Sequence, residues 1–163
     1  KEKNPSLSKF ADYNYFDIII GNPPYLERAK LAGAYRVRTL NTEGCRDIYA
    51  WFVERTIALG NPSSSQSMII PLSMASSGSF DVLRDILSAS SPALWLSHFA
   101  NRPGQLFVGA QNRLSIFIRS VRQACPCAFS TRYHRWDSRG GEREALFATM
   151  IYGKLGQLAR RFH

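Results

Sequence analysis

Apolar positions in this chain fall into short runs whose spacing predicts alternating strands and helices. Phe16-Asp17-Ile18-Ile19-Ile20-Gly21 is rich in β-branched residues and is closed by a glycine and two prolines. It predicts a fully buried strand of a parallel sheet. Residues 26–44 show no sustained period and predict a long, largely irregular loop. Across residues 47–59, Tyr49, Phe52, Val53 and Ile57 recur on one helical face, and Gly60-Asn61-Pro62 supplies the stop. Asp47 sits where a carboxylate favours the start of that helix. Ser63-Ser64-Ser65-Gln66 predicts a flexible connection, and Met68-Ile69-Ile70-Pro71-Leu72 a second buried strand. A helix across residues 80–87 follows, with Leu83, Ile86 and Leu87 inward and Ser77 or Ser79 as its N-cap. Residues 94–99 and 114–118 predict two more strands, and residues 142–154 a last helix with Leu146, Met150 and Ile151 toward the core. Strand, helix, strand, helix in this order indicates an α/β fold with a parallel sheet and helical crossovers.

At 163 residues, with 45% hydrophobic and 20% charged residues, the chain fits one globular domain with a core. Residues 1–15 are a polar lead-in loop, and residues 121–163 form a basic C-terminal segment carrying Arg122, Arg132, Arg135, Arg139, Arg143, Arg160 and Arg161. Tyr133 and Trp136 are interleaved with these cations, a mixture suited to nucleic-acid contact through phosphate pairing and stacking, although a solvated basic face has the same composition. The net charge of +9, from 21 basic and 12 acidic residues, favours a polyanionic partner, DNA or RNA before a membrane. No apolar run approaches the ~20 residues that span a bilayer, and the start lacks a signal-peptide apolar region. Three cysteines argue against a secreted disulfide framework, so the expected compartment is the cytoplasm. Cys125-Pro126-Cys127 with His134 lacks the second cysteine pair of a tetrahedral zinc site, and no metal is expected.

The chemistry concentrates at Gly21-Asn22-Pro23-Pro24-Tyr25, directly after the first predicted strand. Ligands of open α/β sheets bind at that end of the strands. Pro24 forces Pro23 into an extended conformation, and neither proline has an N–H to compete for its neighbours' carbonyls. Asn22 adds a side-chain carbonyl and Tyr25 a flat ring with a polar tip. Two acceptors beside a stacking face suit a planar ring bearing an exocyclic amine, held with its nitrogen lone pair aimed outward. An ordinary Asn-Pro turn is the plain alternative. A Pro-Pro pair alone arises at about one position in 400.

Residues 16–25 resemble the NPPY segment of S-adenosylmethionine-dependent amino-group methyltransferases. The flanking sequence is most similar to DNA adenine-N6 methyltransferases of type I-like and type IIG restriction–modification proteins. Asp47-Ile48-Tyr49 and the helix after it resemble the segment that follows NPPY there. Phe107-Val108-Gly109-Ala110 resembles the segment whose aromatic touches a flipped adenine. The resemblance implies a partial Rossmann-like methyltransferase sheet, mostly parallel, with residues 94–99 and 114–118 as an antiparallel edge hairpin. It assigns Asn22 and the Pro23 carbonyl to the adenine amine, with Pro24 stiffening the turn, Tyr25 to stacking, and Phe107 to a second wall of the pocket. Asn22 is also placed beside the cofactor. Apart from the resemblance, Arg28, Lys30, Arg36 and Arg38 lie just beyond this site, where they could grip phosphates, although a solvated basic loop has the same composition.

The glycine-rich turn and the acidic residue that hold S-adenosylmethionine in that family have no counterpart in this sequence, and the resemblance covers roughly residues 16–120. The expectation is therefore the later, substrate-holding half of the catalytic domain, paired in the intact enzyme with an upstream half or a partner chain and inactive alone. Apolar surface would then be open where the first strands of the sheet are missing. Methylation of a release-factor glutamine or an RNA base fits the same motif, as does a non-catalytic DNA-binding remnant.

Overall fold

The computed structural model of the chain describes residues 16–31, 37, 39–90, 93–107, 112–121, 127–136 and 142–155. The elements in chain order are β1 (Phe16–Gly21), α1 (Tyr49–Leu59), β2 (Gly60–Pro71), α2 (Ser73–Ser76), α3 (Asp81–Ser90), β3 (Ala93–Phe99), β4 (Leu114–Ser120), β5 (Cys127–His134), α4 (Glu142–Ala148) and β6 (Gly153–Leu155). Single 3-10 turns at Arg28–Leu31, Asn41–Gly44 and Gly78–Phe80 punctuate the connections. The strands form one sheet ordered β1-β2-β4-β3-β5-β6. The fold class is α/β, as the sequence pattern predicts.

The sheet is mixed. β1–β2 and β3–β5 are parallel, whereas β2–β4, β3–β4 and β5–β6 are antiparallel. β3 and β4 do pair antiparallel, but β4 is not at an edge: it inserts between β2 and β3. Its alternation of buried Ser115, Phe117 and Arg119 with more open Ile116, Ile118 and Ser120 fits a central strand with one well-covered face. That insertion leaves the sheet less parallel than expected. It also brings the start of β4 to the edge where β2 and β3 end.

Two clusters of side chains cover the two faces. On one, Tyr49, Ala50 and Val53 of α1 and Leu83 and Leu87 of α3 pack on Met68, Ile70, Leu94, Leu96 and Phe117. The fully buried Phe80 stacks on Tyr49 with ring centroids 5.0 Å apart. On the other, Phe99, Leu106, Leu114, Trp136 and Leu146 form a smaller cluster under the carboxyl end of the strands. Helix α1 begins and ends close to its predicted bounds, with Gly60 as its C-cap, but Phe52 is exposed and Trp51 takes the inward place. The Trp51 indole donates to the Thr42 carbonyl at 2.9 Å, so the loop before the helix decides which aromatic is covered.

Three expectations are corrected by pairing. Ser63–Gln66 is not a flexible connection but part of β2, where Ser65 and Gln66 lie in register with Ile18 and Ile19 on one side and Ser120 and Arg119 on the other. A ladder on both sides overrides the weak strand propensity of serine. Pro62 is tolerated because the β1–β2 register is interrupted between Phe16 and Ile18. The closing helix is only Glu142–Ala148. The chain then turns into β6, Leu146 is buried, Met150 is half-buried against the second cluster, and Ile151 is 83% exposed.

The first strand is the third correction. Ile19 packs on the larger cluster, but Phe16, Ile18 and Ile20 are exposed, Ile20 by 78%. They point to the face opposite α1 and α3. There, Ile20, Ser67, Ile118, Trp95 and Phe129 lie in register across five strands. The physical reason is position: β1 is an edge strand, and among the described residues nothing covers this end of that face.

Glu54 on α1 holds the loop that precedes the helix. Its two carboxylate oxygens accept from Asn41 N and Nδ2 and from Thr42 N and Oγ1, at 2.7–3.0 Å. Burial pulls the carboxyl upward, but the hydrogen bonds from Thr42 and Asn41 outweigh it and the net shift is downward. Folding thus lowers the proton affinity below the unfolded value of about 4.3. The resulting stabilisation is fully present above that pH and disappears as acid protonates the folded carboxylate. Glu54→Gln is expected to melt below the parent at neutral pH, with the difference closing under acid conditions; a pH-independent difference in thermal scans would refute this account.

Candidate active site

β1 stops at Gly21 because the two prolines after Asn22 cannot extend the ladder. Asn22 is exposed, Pro23 buried, Pro24 exposed and Tyr25 half-buried. The Tyr25 hydroxyl lies 2.5 Å from Asn22 Oδ1 and 2.8 Å from the Ile69 carbonyl of β2. It has one proton to share between those acceptors, so it locks the Asn22 amide against the end of the neighbouring strand. Burial pushes its pKa up to about 12, which keeps the hydroxyl a donor at neutral pH. Asn22 Oδ1 retains acceptor capacity toward solvent, and among the described residues no donor is bonded to the Pro23 carbonyl. The tyrosine ring touches both core clusters, so the turn is anchored from both faces of the sheet.

Beside Tyr25 opens a cleft of about 550 Å³. It lies at the carboxyl ends of β1, β2 and β3 and the start of β4, the edge the sequence reading favours. Its floor and one lip are Pro71, Leu72, Ser73, Ser76 and Phe80. Arg84 holds that lip: its Nη1 donates to the Met74 and Ser77 carbonyls at 2.5 and 2.9 Å, and its Nη2 pairs with Asp81. Tyr49 and Ser73 are bonded hydroxyl to hydroxyl at 3.1 Å beneath it. The opposite side is charged, with Glu27, Lys30, Arg46 and Asp47 from the loop after β1. Glu27 and Arg46 form an exposed ion pair at 3.0 Å, and backbone bonds from Arg28 to Arg46 and from Ile48 to Leu26 fasten this loop to the start of α1.

Asp47 does not cap α1, since no side-chain cap bond forms there. It faces the cleft instead, where burial and the neighbouring Glu27 carboxylate hold its carboxyl above the usual range against the pull of Arg46 and Lys30.

The predicted site residues are only partly brought together. Tyr25 and Lys30 line the cleft, and Asn22 is bonded to Tyr25 without lining it. Arg28 points to the Glu43 carbonyl at 3.0 Å. Phe107 is half-buried against the second cluster, on which Tyr25 also packs, and it does not line the cleft. Arg36 and Arg38 lie outside the described residues. In the basic segment Trp136 is a core residue, edge-on to Phe99 at 6.1 Å and pressed against Gly104, where any side chain would overlap it. Exposed Arg135 sits over the Tyr133 ring at 6.0 Å. Sequence reasoning missed Asn101, Asn112 and Arg113, which line the cleft from the connections flanking β3 and β4. Their one sequence signal is adjacency to the ends of predicted strands.

The family sequence model described as Eco57I restriction-modification methylase matches residues 1–105. No curated protein matches the chain significantly. Among solved structures, the chain is similar to the DrdV–DNA complex determined by cryo-electron microscopy (TM-score 0.64, 15% identity, 91% of this chain and 18% of that one). It is also similar to a nuclease-deletion mutant of the Type ISP restriction-modification enzyme LlaGI in complex with a DNA substrate mimic (TM-score 0.61, 15% identity, 83% and 14%). A third similarity is to the ATP-dependent Type ISP restriction-modification enzyme LlaBIII bound to DNA (TM-score 0.54, 13% identity, 76% and 10%). At these identities the likeness is one of fold, and the chain spans less than a fifth of each neighbour's length.

The Tyr25 hydroxyl is the testable link in this geometry. Tyr25→Phe keeps the ring and removes the bonds to Ile69 and Asn22, and is expected to lower unfolding free energy by about 1 kcal/mol. An unchanged urea midpoint would show that the hydroxyl does not hold the turn.

Proposed function

The chain belongs to the Eco57I restriction-modification methylase family, and from that membership we propose that it holds the amine in a DNA adenine-N6 methyltransferase. The observation that carries the reading is the exposed Asn22 amide, fixed by Tyr25 at a strand tip beside an open cleft. Asn22 Oδ1 and the Pro23 carbonyl accept the two amine hydrogens, and the nitrogen lone pair is left free to attack. The amine reacts as a neutral nucleophile, so these residues act by positioning and no base is needed before transfer. Pro24 keeps the turn rigid, the Tyr25 ring meets the base face, and Phe107, on the same cluster, forms a second wall. The target base leaves its duplex to reach such a site, with Arg28, Lys30, Arg36 and Arg38 on the flanking phosphates.

The family implies a methyl donor, for which S-adenosylmethionine is the expected group. A side chain on Gly60 would strike Ser64 and one on Gly104 would strike Trp136, so those two close approaches are taken up by the protein itself, whereas Gly21, Gly44, Gly78 and Gly153 meet nothing closer than an ordinary contact. On this reading Asn22 also stands beside the donor, and what this chain contributes is the hold on the amine. Among the described residues no helix is long and apolar enough to cross a membrane.

In the intact methylase, Asn22→Ala is expected to reduce N6-methyladenine formation by at least about 100-fold, on the scale of losing one oriented polar contact at a reacting atom. The urea midpoint should be nearly unchanged, because the Tyr25 hydroxyl keeps the Ile69 carbonyl as its acceptor. Full methylation of adenine-containing DNA by this variant would overturn the assignment.

A further inference from the structure

Arg113, immediately before β4, lines the cleft on the side away from the charged loop after β1. The Arg113 carbonyl accepts from Leu72 N at 2.8 Å, which fixes its backbone to the end of β2. Its guanidinium has no hydrogen bond or ion pair among the described residues. Lys30, on the first side, makes no side-chain hydrogen bond or close ion pair among the described residues and acts on Asp47 only through its charge, whereas Arg46 is engaged with Glu27. The cleft-lining cations are Lys30, Arg46 and Arg113 and the anions Glu27 and Asp47, a balance of three to two. After the Glu27–Arg46 pair cancels, two separate cations flank the β2 end while the remaining carboxylate stands beside Lys30.

We infer that Arg113 is a phosphate-binding residue of the cleft, gripping the phosphodiester of the strand whose base sits against Tyr25, with Lys30 taking the same backbone from the opposite lip. The inference rests on the reading of the cleft as a nucleotide site and adds a residue that positions the strand and touches no base. The cleft volume exceeds that of a planar base, so room remains for backbone. Asn101 and Asn112 add neutral polar groups on Arg113's side. A guanidinium anchored by its own backbone at a strand end is suited to a phosphate because its planar fork offers two donors at once. A contact of this kind fixes register and carries no sequence information.

The test uses the full chain and two fluorescein-labelled single strands, one of oligo-deoxyadenosine and one of the same length carrying abasic sites, titrated by anisotropy across a salt series. Arg113→Ala is expected to weaken both strands by a similar factor, about tenfold, and to lower the salt slope by about one phosphate contact. Arg113→Lys should preserve the slope while losing part of the affinity. Circular dichroism checks that each variant folds. Asn22→Ala, by contrast, should weaken only the adenine strand, so the two readings fail separately. If Arg113→Ala binds both strands as the parent does, the phosphate role is wrong, whatever Asn22→Ala shows. If Arg113→Ala weakens only the adenine strand, Arg113 contacts the base and the role is again wrong. Absence of measurable binding by the parent chain at low salt would overturn it equally.

Discussion

The site depends on one hydrogen-bonded joint, the Tyr25 hydroxyl between Asn22 Oδ1 and the Ile69 carbonyl. A strand that ends in Asn-Pro-Pro has no further ladder to hold it, since the prolines donate nothing. Without another tie the turn would be fixed only by its own stiffness. Tyr25 supplies the tie twice over, with its ring between the two core clusters and its hydroxyl on the neighbouring strand. The long side chain thereby transmits the rigidity of β2, which is paired on both sides, to an exposed amide on β1, which is paired on one.

The same joint sets the electrostatic character of the site. Tyr25 remains protonated through the neutral range because burial disfavours its phenolate, and Asn22 has no charge to gain or lose. The holding groups therefore keep their donor and acceptor roles across that range. In the charged loop, by contrast, Asp47 has its carboxyl raised by burial and by Glu27. On the proposed reading, acid would alter how the cleft attracts a polyanion before it altered how the turn holds an amine.

How much of this was legible in the sequence follows the range of the forces involved. The motif, the β1 stop and helix α1 are written in local chemistry: prolines, β-branched runs and a 3.6-residue period. Ser63–Gln66 was illegible because its strand conformation comes from partners 45 and more residues away in sequence, not from its own serines. The central place of β4 follows from its two neighbours, and no pattern within seven residues could announce it. β5 was hidden by Arg132 and His134, which give the strand the look of a basic surface segment. Trp136 looked like a stacking platform but fills the core beside Phe99. The cleft's Asn101, Asn112 and Arg113 come from separate connections that only the β4 insertion brings together.

The second face of the sheet is covered unevenly. At the carboxyl ends of β2 and β3, the smaller cluster closes one face and the α1–α3 layer closes the other, so polar groups at that rim stand on a covered, rigid base. Away from that cluster, the row that runs from Ile20, near the end of β1, to Phe129, near the start of β5, has helices on one side only among the described residues. Apolar surface remains in water there, with Trp95 and Phe129 stacked at 5.7 Å as its main internal contact. Exposure of this size lowers the net gain from folding. It falls on the face where Phe16, Ile18 and Ile20 point, while Ile19 packs on the other and Tyr25 reaches both. The alternation of a strand separates the two: odd and even positions of β1 answer to different faces. The Asn22 turn is therefore held on the covered face through the larger cluster, and on the partly bare face only where Tyr25 meets the smaller one.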